Sequence, residues 1–253
     1  MTAEQHTGAP VGRDVHAGAG VRRTVASRLT GRVKLVYLYG CPPRATYVKN
    51  TAYAVTVFSH TRGQETVGKY FSRGDLGRRG FAAERLSSEL FGDRPWRMPV
   101  TRWHRRGFSV PRLPDAARLD LACRSMTSAE RGRMGAWALD VLLEIYLAGY
   151  LHGDLQPHNV WFLDGRPVVT DFETFGRRTP GIPFLASGDI TGDDPAPRDR
   201  PLDPAFDPDD DWSFHHVLGV TLDDAVQLLR RDLAASSSAA DRRKLDALEG
   251  RLT

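Results

Sequence analysis

Three polar side chains constrain this chain more than any other feature of it. Asp154 and Asn159 stand five residues apart in the run His152-Gly-Asp-Leu-Gln-Pro-His-Asn159, and Asp171 follows twelve residues after the Asn in Val168-Val-Thr-Asp-Phe172. The first run comes directly after a helical pattern that stops at Gly149, and the apolar stretch 167–170 leads into Asp171 as a strand would. A helix end and a strand end must therefore deliver two polar loops to one place, which requires a lobe with helices packed behind them. Either run alone would pass for a capped turn. Together, and in this order, they offer a carboxylate to accept a hydroxyl proton and hard oxygen ligands for a divalent cation on phosphates.

Around these loops the chain changes character once. Residues 1–28 are rich in Gly, Ala, Thr and His without periodicity and read as a flexible tail. Segments 33–39, 45–49, 54–60 and 65–71 are β-rich and bounded by Gly, Pro or polar turns, with Thr61-Arg-Gly-Gln64 as a tight turn. A helix is expected over Phe81–Phe91, with Phe81, Leu86, Leu90 and Phe91 sharing one face, followed by strands near 98–103 and 108–113. After Pro114 the signal becomes helical. Thr127-Ser-Ala-Glu130 is a capping-box pattern, and Met134, Trp137, Val141, Ile145 and Ala148 recur behind it at helical spacing. Residues 179–210 are rich in Pro, Asp and Gly and read as loop, and helices are expected at 212–220, 222–235 and 241–252. The expectation is an α+β, bilobal fold: a small antiparallel strand-rich N-lobe over 29–113 and a helical C-lobe over 114–253.

Holding a nucleotide's phosphates calls for a cation on the sheet and an acid on the adjoining helix to orient it. Lys69, in Glu65-Thr-Val-Gly-Lys-Tyr-Phe71, and Glu84, fifteen residues further on, fit that pairing. Lys49 is the rival cation and Glu89 the rival acid. Lys69 is preferred because a start at Lys49 leaves too little chain for two strands and a phosphate loop before it. That loop is expected at Thr51, Ala52 and Tyr53, where small residues, without any glycine, would let the backbone approach phosphates; an ordinary hairpin is the alternative. ATP and Mg²⁺ are the implied cofactors. Asp154 is the candidate base, Asn159 and Asp171 are the candidate metal ligands, and Lys69 with Glu84 is the phosphate-holding pair.

The two polar runs resemble the catalytic and metal loops of protein kinases, with Gly153 and Glu173 at the positions where those loops have Arg and Gly. Gly181-Ile-Pro-Phe-Leu-Ala-Ser-Gly-Asp189 resembles the segment that closes a protein-kinase activation loop. Asp210-Asp-Trp-Ser-Phe214 resembles the start of the central helix, and by that resemblance Asp210 would brace the backbone around His152–Asp154. With a Glu after Asp-Phe, the chain is most similar to the kinase domains of class III and IV lanthipeptide synthetases and to related standalone peptide-pathway kinases, over residues 45–220. The resemblance implies phosphorylation of Ser or Thr in a precursor peptide, with a separate lyase as partner. A small-molecule (aminoglycoside or sugar) phosphotransferase and an inactive kinase-like partner subunit are the alternatives. Gln156 stands where the resemblance has a Lys beside the γ-phosphate. About 40 residues follow the Asp210–Phe214 segment, so the helical lobe is expected to be truncated.

Composition narrows the classes further. Cys41 and Cys123 are far apart and form neither a disulfide framework nor a CxxC metal site. No apolar run reaches the roughly 20 residues that cross a bilayer, and the first 28 residues hold no apolar signal-type region. No membrane partner and a cytoplasmic location are the expectation. Arg pairs are scattered along the chain, against a dedicated nucleic-acid-reading face. Residues 189–211 carry nine Asp against Arg198 and Arg200, a local net of −7 in a chain of net +4. They read as a solvated linker, with docking of a basic peptide as the alternative.

Overall fold

Along β2 (Ala54–Thr61) Val55 and Val57 are fully buried, while Thr56 and Phe58 face the cleft between the lobes. That is the period-2 alternation of a strand with both faces occupied. The structure is a computed structural model and describes residues 46–51, 53–61, 64–190 and 212–252, together with Tyr39 and Cys41. The tail 1–28, most of the expected strand at 33–39, the tip of the 61–64 turn and most of the Asp-rich segment 189–211 lie outside the described residues. The first lobe is an antiparallel sheet of β1 (Thr46–Asn50), β2, β3 (Gln64–Phe71), β4 (Arg102–His104) and β5 (Gly107–Pro111), in the order β1-β2-β3-β5-β4. Cys41, Val55, Val57 and Tyr70 pack on one face, and Ala54, Phe71 and Phe108 form a second cluster.

Helix α1 (Asp75–Phe91) starts six residues earlier than the sequence reading places it. Its buried residues are Gly77, Gly80, Glu84, Ser87 and Phe91, a helical stripe in which only Phe91 is a large apolar residue. The side chains expected to share the buried face behave differently: Leu90 is 40 % exposed, and Leu86 and Phe81 are half-buried. The glycines explain both points. A Cβ on Gly77 would stand 2.4 Å from the Ser72 carbonyl oxygen, and one on Gly80 would stand 3.0 Å from the Phe71 ring. Only a bare backbone lets α1 sit this close to the end of β3.

The second lobe is built on α3 (Ser128–Leu147), which follows the one-turn helix α2 (Leu119–Ala122). The capping box is formed in both directions: the Thr127 hydroxyl accepts the Glu130 N–H, and the Glu130 carboxylate accepts the Thr127 N–H. Leu139, Leu142, Leu143 and Ile145 are fully buried, so α3 is covered nearly all round. Helices α4 (Ser213–Leu218), α5 (Leu222–Ala235) and α6 (Ala239–Leu248) pack against it, and Lys244 of α6 reaches Asp140 of α3 at 2.7 Å. On the other side lie β6 (Tyr150–Leu151), the hairpin β7 (Val160–Leu163) and β8 (Arg166–Val169), and β9 (Gly176–Arg177), which pairs with β6. The bilobal α+β architecture expected from the sequence is what the structure shows.

The lobes join by a backbone pairing as well as by the chain at 112–118. The Met98 N–H donates to the Val169 carbonyl at 3.0 Å, and the Val169 N–H to the Trp96 carbonyl at 2.6 Å. Trp96 also donates from Nε1 to Glu144 of α3 at 3.0 Å. The first lobe is thus tied to β8, the strand that leads into Asp171.

A Gly→Ala change inside a helix ordinarily stabilises by up to about 1 kcal/mol. Gly77→Ala is expected to destabilise by about 1–3 kcal/mol instead, because its Cβ must displace backbone atoms of Ser72. Gly132→Ala in α3 would meet only Leu228 at 3.9 Å and is expected to be neutral or stabilising. Chemical denaturation of the two variants checks this contrast.

Candidate active site

Lys69 lies in the middle of β3, with its Cα opposite Thr56 on one side and Phe108 on the other. Its ammonium reaches Glu84 Oε1 at 3.3 Å and Glu173 Oε2 at 2.8 Å, and it donates a hydrogen bond to Asp171. It is therefore Lys69, not Lys49, that meets Glu84. Glu89 is exposed and pairs with Arg85. Glu84 is 1 % exposed, accepts the Phe172 N–H at 3.1 Å and stands 3.6 Å from the Arg97 guanidinium. Arg97 donates to Ser87 Oγ at 2.8 Å and lies 4.6 Å from the centre of the Phe172 ring. Burial alone would lower the Lys69 pKa, but Asp171, Glu84 and Glu173 overcome it and raise it above the ordinary value. For Asp171, burial pushes upward and the Lys69 charge and hydrogen bond prevail, holding it low. Burial raises Glu84 against the pull of Lys69.

Asp171 has a φ of 69°, a left-handed conformation uncommon outside glycine that costs on the order of 1–3 kcal/mol. Its neighbours hold it there. The Thr170 N–H and hydroxyl both donate to the Asn159 carbonyl, at 2.9 and 3.0 Å, and the Phe172 N–H is taken by Glu84. The metal-loop strand and the Asn159 turn are therefore one hydrogen-bonded unit.

Asp154 is fixed from two sides. Gln156 Nε2 donates to one carboxylate oxygen at 2.8 Å; Asn159 Nδ2 lies 3.3 Å from the other and donates to the Asp154 carbonyl at 2.9 Å. Burial, and then repulsion by Asp171, raise the Asp154 pKa above the usual carboxylate range. His152 is fully buried with its ring 4.5 Å from that of Phe172, and its Nδ1 accepts the Asp154 N–H at 3.3 Å. Burial pushes its pKa down to about 4, so the imidazole is neutral.

The backbone ahead of Asp154 is held by a residue that the sequence reading assigned otherwise. Asp189 accepts the His152 N–H at 2.9 Å and the Gly153 N–H at 2.6 Å, one on each oxygen. That brace was expected from Asp210, which lies outside the described residues. Burial raises the Asp189 pKa to about 6 even against these two hydrogen bonds.

A cleft of about 280 Å³ opens between the lobes. Val67, Phe108, Val110, Met98 and Trp161 supply apolar lining, and Lys49, Lys69, Glu84, Asn159 and Asp171 supply polar lining. Four predicted residues (Lys69, Glu84, Asn159 and Asp171) thus share one wall system, and Asp154 is hydrogen-bonded to it through Asn159. Thr51 and Tyr53 do not join the cleft lining. The Thr51 hydroxyl accepts the Tyr53 and Ala54 N–H groups at 3.3 and 3.1 Å, and Tyr53 lies beside Gly80 of α1. Both serve the β1–β2 turn, and Ala52 lies outside the described residues. The sequence reading missed the parts played by Arg97, Gln156, Glu173 and Asp189. Gln156 and Glu173 had been noted only as departures from the resembled loops, and Asp189 only as the end of the Gly181–Asp189 run.

The donor set suits Mg²⁺. Lys69 and Arg97 face three carboxylates before Asp154 is counted, and the excess negative charge is felt: Asp171 adds to the burial that raises both Glu173 and Asp154. A divalent cation at Asn159 and Asp171 would offset it, with the hard oxygen ligands that Mg²⁺ takes. Among the described residues no group of three His, Cys, Asp or Glu could hold a metal ion by itself.

No family model and no curated protein matches the chain. Among solved structures, the complex of Rv3197 with erythromycin from Mycobacterium tuberculosis is similar at a TM-score of 0.44 and 16 % identity. The match covers 62 % of this chain and 53 % of that one, about half of its length.

The buried pair gives a pH signature. The raised pKa of Asp189 makes the folded state the stronger proton binder, so its contribution to stability is full below its ordinary value of 3.8 and is lost as pH rises through about 6. His152 has the opposite sign: its contribution is present above 6.5 and lost as pH falls towards about 4. Asp189→Asn removes the first and leaves the second. The stability of wild type relative to Asp189→Asn is expected to grow, by up to about 3 kcal/mol, as pH is lowered from 7 to 4. Denaturation curves at stepped pH measure it, and parallel curves would show that Asp189 does not titrate in that window.

Proposed function

We propose that the chain transfers the terminal phosphoryl group of ATP, taken up with Mg²⁺, to a hydroxyl group. The observation that carries this reading is the convergence of Asp154, Asn159 and Asp171 with the Lys69–Glu84 pair at a cleft of mixed apolar and polar lining. Asp154 is placed to accept the hydroxyl proton. Its raised pKa strengthens it as a base, and Gln156 and Asn159 fix its direction. Lys69, held by Glu84, would pair with the inner phosphates. Asn159 and Asp171 would hold Mg²⁺, with Glu173 close by on Lys69. Held there, the ion would supply positive charge against the charge that develops on the phosphate.

The acceptor we favour is Ser or Thr of a precursor peptide, in maturation of a lanthipeptide-like product with a separate lyase. This rests on the resemblance of the two catalytic runs. A second reading is a small-molecule phosphotransferase acting on an aminoglycoside or sugar.

Two measurements test these readings. Asp154→Asn is expected to lower kcat by about 10²–10⁴-fold while leaving nucleotide affinity within about twofold; undiminished turnover would remove Asp154 as the base. Mass spectrometry after incubation with Mg-ATP and either Ser/Thr-rich peptides or free aminoglycosides and sugars is expected to show a phosphate gain on peptide. A gain on the small molecules alone would select the second reading.

A further inference from the structure

β1 carries an irregularity beside the cleft. Thr46 faces Phe58 and Tyr47 faces Val57 across the ladder, yet Lys49, not Val48, faces Thr56. Val48 is the extra residue of a β-bulge. Residues directly opposed in an antiparallel pair project to the same face of the sheet. Uninterrupted pairing from Thr46 would set Lys49 opposite Val55, whose side chain is 0 % exposed and packs with Val57 and Tyr70. The bulge instead sets Lys49 opposite Thr56, and Val48, Lys49, Thr56 and Phe58 all line the cleft. Bulges beside sites commonly re-aim one side chain in this way.

Keeping an ammonium out of an apolar cluster would itself favour the bulge. Two further facts point beyond that. The Lys49 charge acts on Asp171 and Glu173, the acids at the polar part of the cleft, from a different strand than Lys69 does. And Lys69 is already engaged by three carboxylates, while the side chains that reach Asp154 are the neutral amides of Gln156 and Asn159. A triphosphate whose terminal group lies between Asp154 and Asp171 therefore needs a cation that the catalytic loop's amides do not supply.

We infer that Lys49 is a second phosphate-binding cation and engages the terminal phosphate of the bound nucleoside triphosphate. The inference rests on the ATP reading above. Lys69 serves the inner phosphates, and Lys49 closes on the outer one from the sheet side, in place of backbone amides of a glycine-rich loop, which this hairpin lacks.

The test compares β,γ-imido-ATP with ADP, each with Mg²⁺, by calorimetric titration of the full chain. Lys49→Gln is expected to weaken the triphosphate analogue by about 10–100-fold and ADP by less than about threefold. Lys49→Arg is expected to recover most of the loss. Lys49 is exposed, so the melting temperature should not move. Equal weakening of both nucleotides, or of neither, overturns the assignment of Lys49 while leaving the ATP reading intact. A wild-type chain that binds neither nucleotide overturns both.

Discussion

The carboxylate of Glu84 is the point on which the rest of the site depends. It is buried on α1 and meets Lys69 from β3, Arg97 from the segment joining the lobes, and the N–H of Phe172 from the metal loop. Four separately folded parts are thereby brought to one atom group. Such a cluster is a poor source of net stability, because desolvating the charges cancels much of their attraction. Its loss is another matter: removing one partner of a buried pair costs about 3–5 kcal/mol, since the others remain buried and unpaired. Glu84 therefore fixes geometry more than it adds stability. The small residues of α1 serve the same end, because Gly77, Gly80 and Ser87 let the helix lie close enough for the carboxylate to reach.

The loops that carry Asp154 and Asp171 are over-determined by the same means. Asp189 takes two N–H groups ahead of Asp154, Thr170 doubles onto the Asn159 carbonyl, and the Thr174 hydroxyl donates to the His152 carbonyl at 3.0 Å. This bonding is what lets Asp171 persist in a left-handed conformation that a free loop would abandon. His152 adds packing rather than charge. Neutral and pressed on Phe172, it couples the catalytic loop to the metal loop without adding to a crowded electrostatic balance.

Much of this was legible in the sequence, and what was not has a physical cause. The Asp154-Asn159-Asp171 spacing reported local loops whose chemistry is carried by the residues themselves. The strands of the first lobe and the capped helix α3 announced themselves by period and by Thr127–Glu130. Helix α1 was read only in part, with Leu90 misplaced and the first six residues missed, because its fully buried stripe is Gly, Gly, Glu, Ser and Phe, which has no hydrophobic period to detect. Asp189 and Arg97 escaped because their partners are backbone groups and an acid at 13 to 37 residues' distance, set by tertiary approach alone. The turn at Thr51 and Tyr53 was given to phosphates by analogy of position. Its own hydrogen bonds show a hairpin closing on itself.

The neutral Gln156 and the bulged Lys49 are best understood as two halves of one arrangement. Hydrogen bonds from Asn159 and Gln156 favour ionised Asp154, while burial and Asp171 favour its protonated form. The Asp154 carboxylate is poised between these pulls, with a proton affinity above that of a free carboxylate. A cation bonded to Asp154 in place of Gln156 would add a strong charge to the first side and make it a weaker base. An amide orients the carboxylate without that cost. On the proposed phosphoryl transfer, the charge that phosphate requires would then come from elsewhere, and the sheet is the wall that can deliver it without touching Asp154. Breaking the register of β1 by one residue is the smallest change that turns a lysine into the cleft, and it leaves the pairing of β2 with β3 undisturbed.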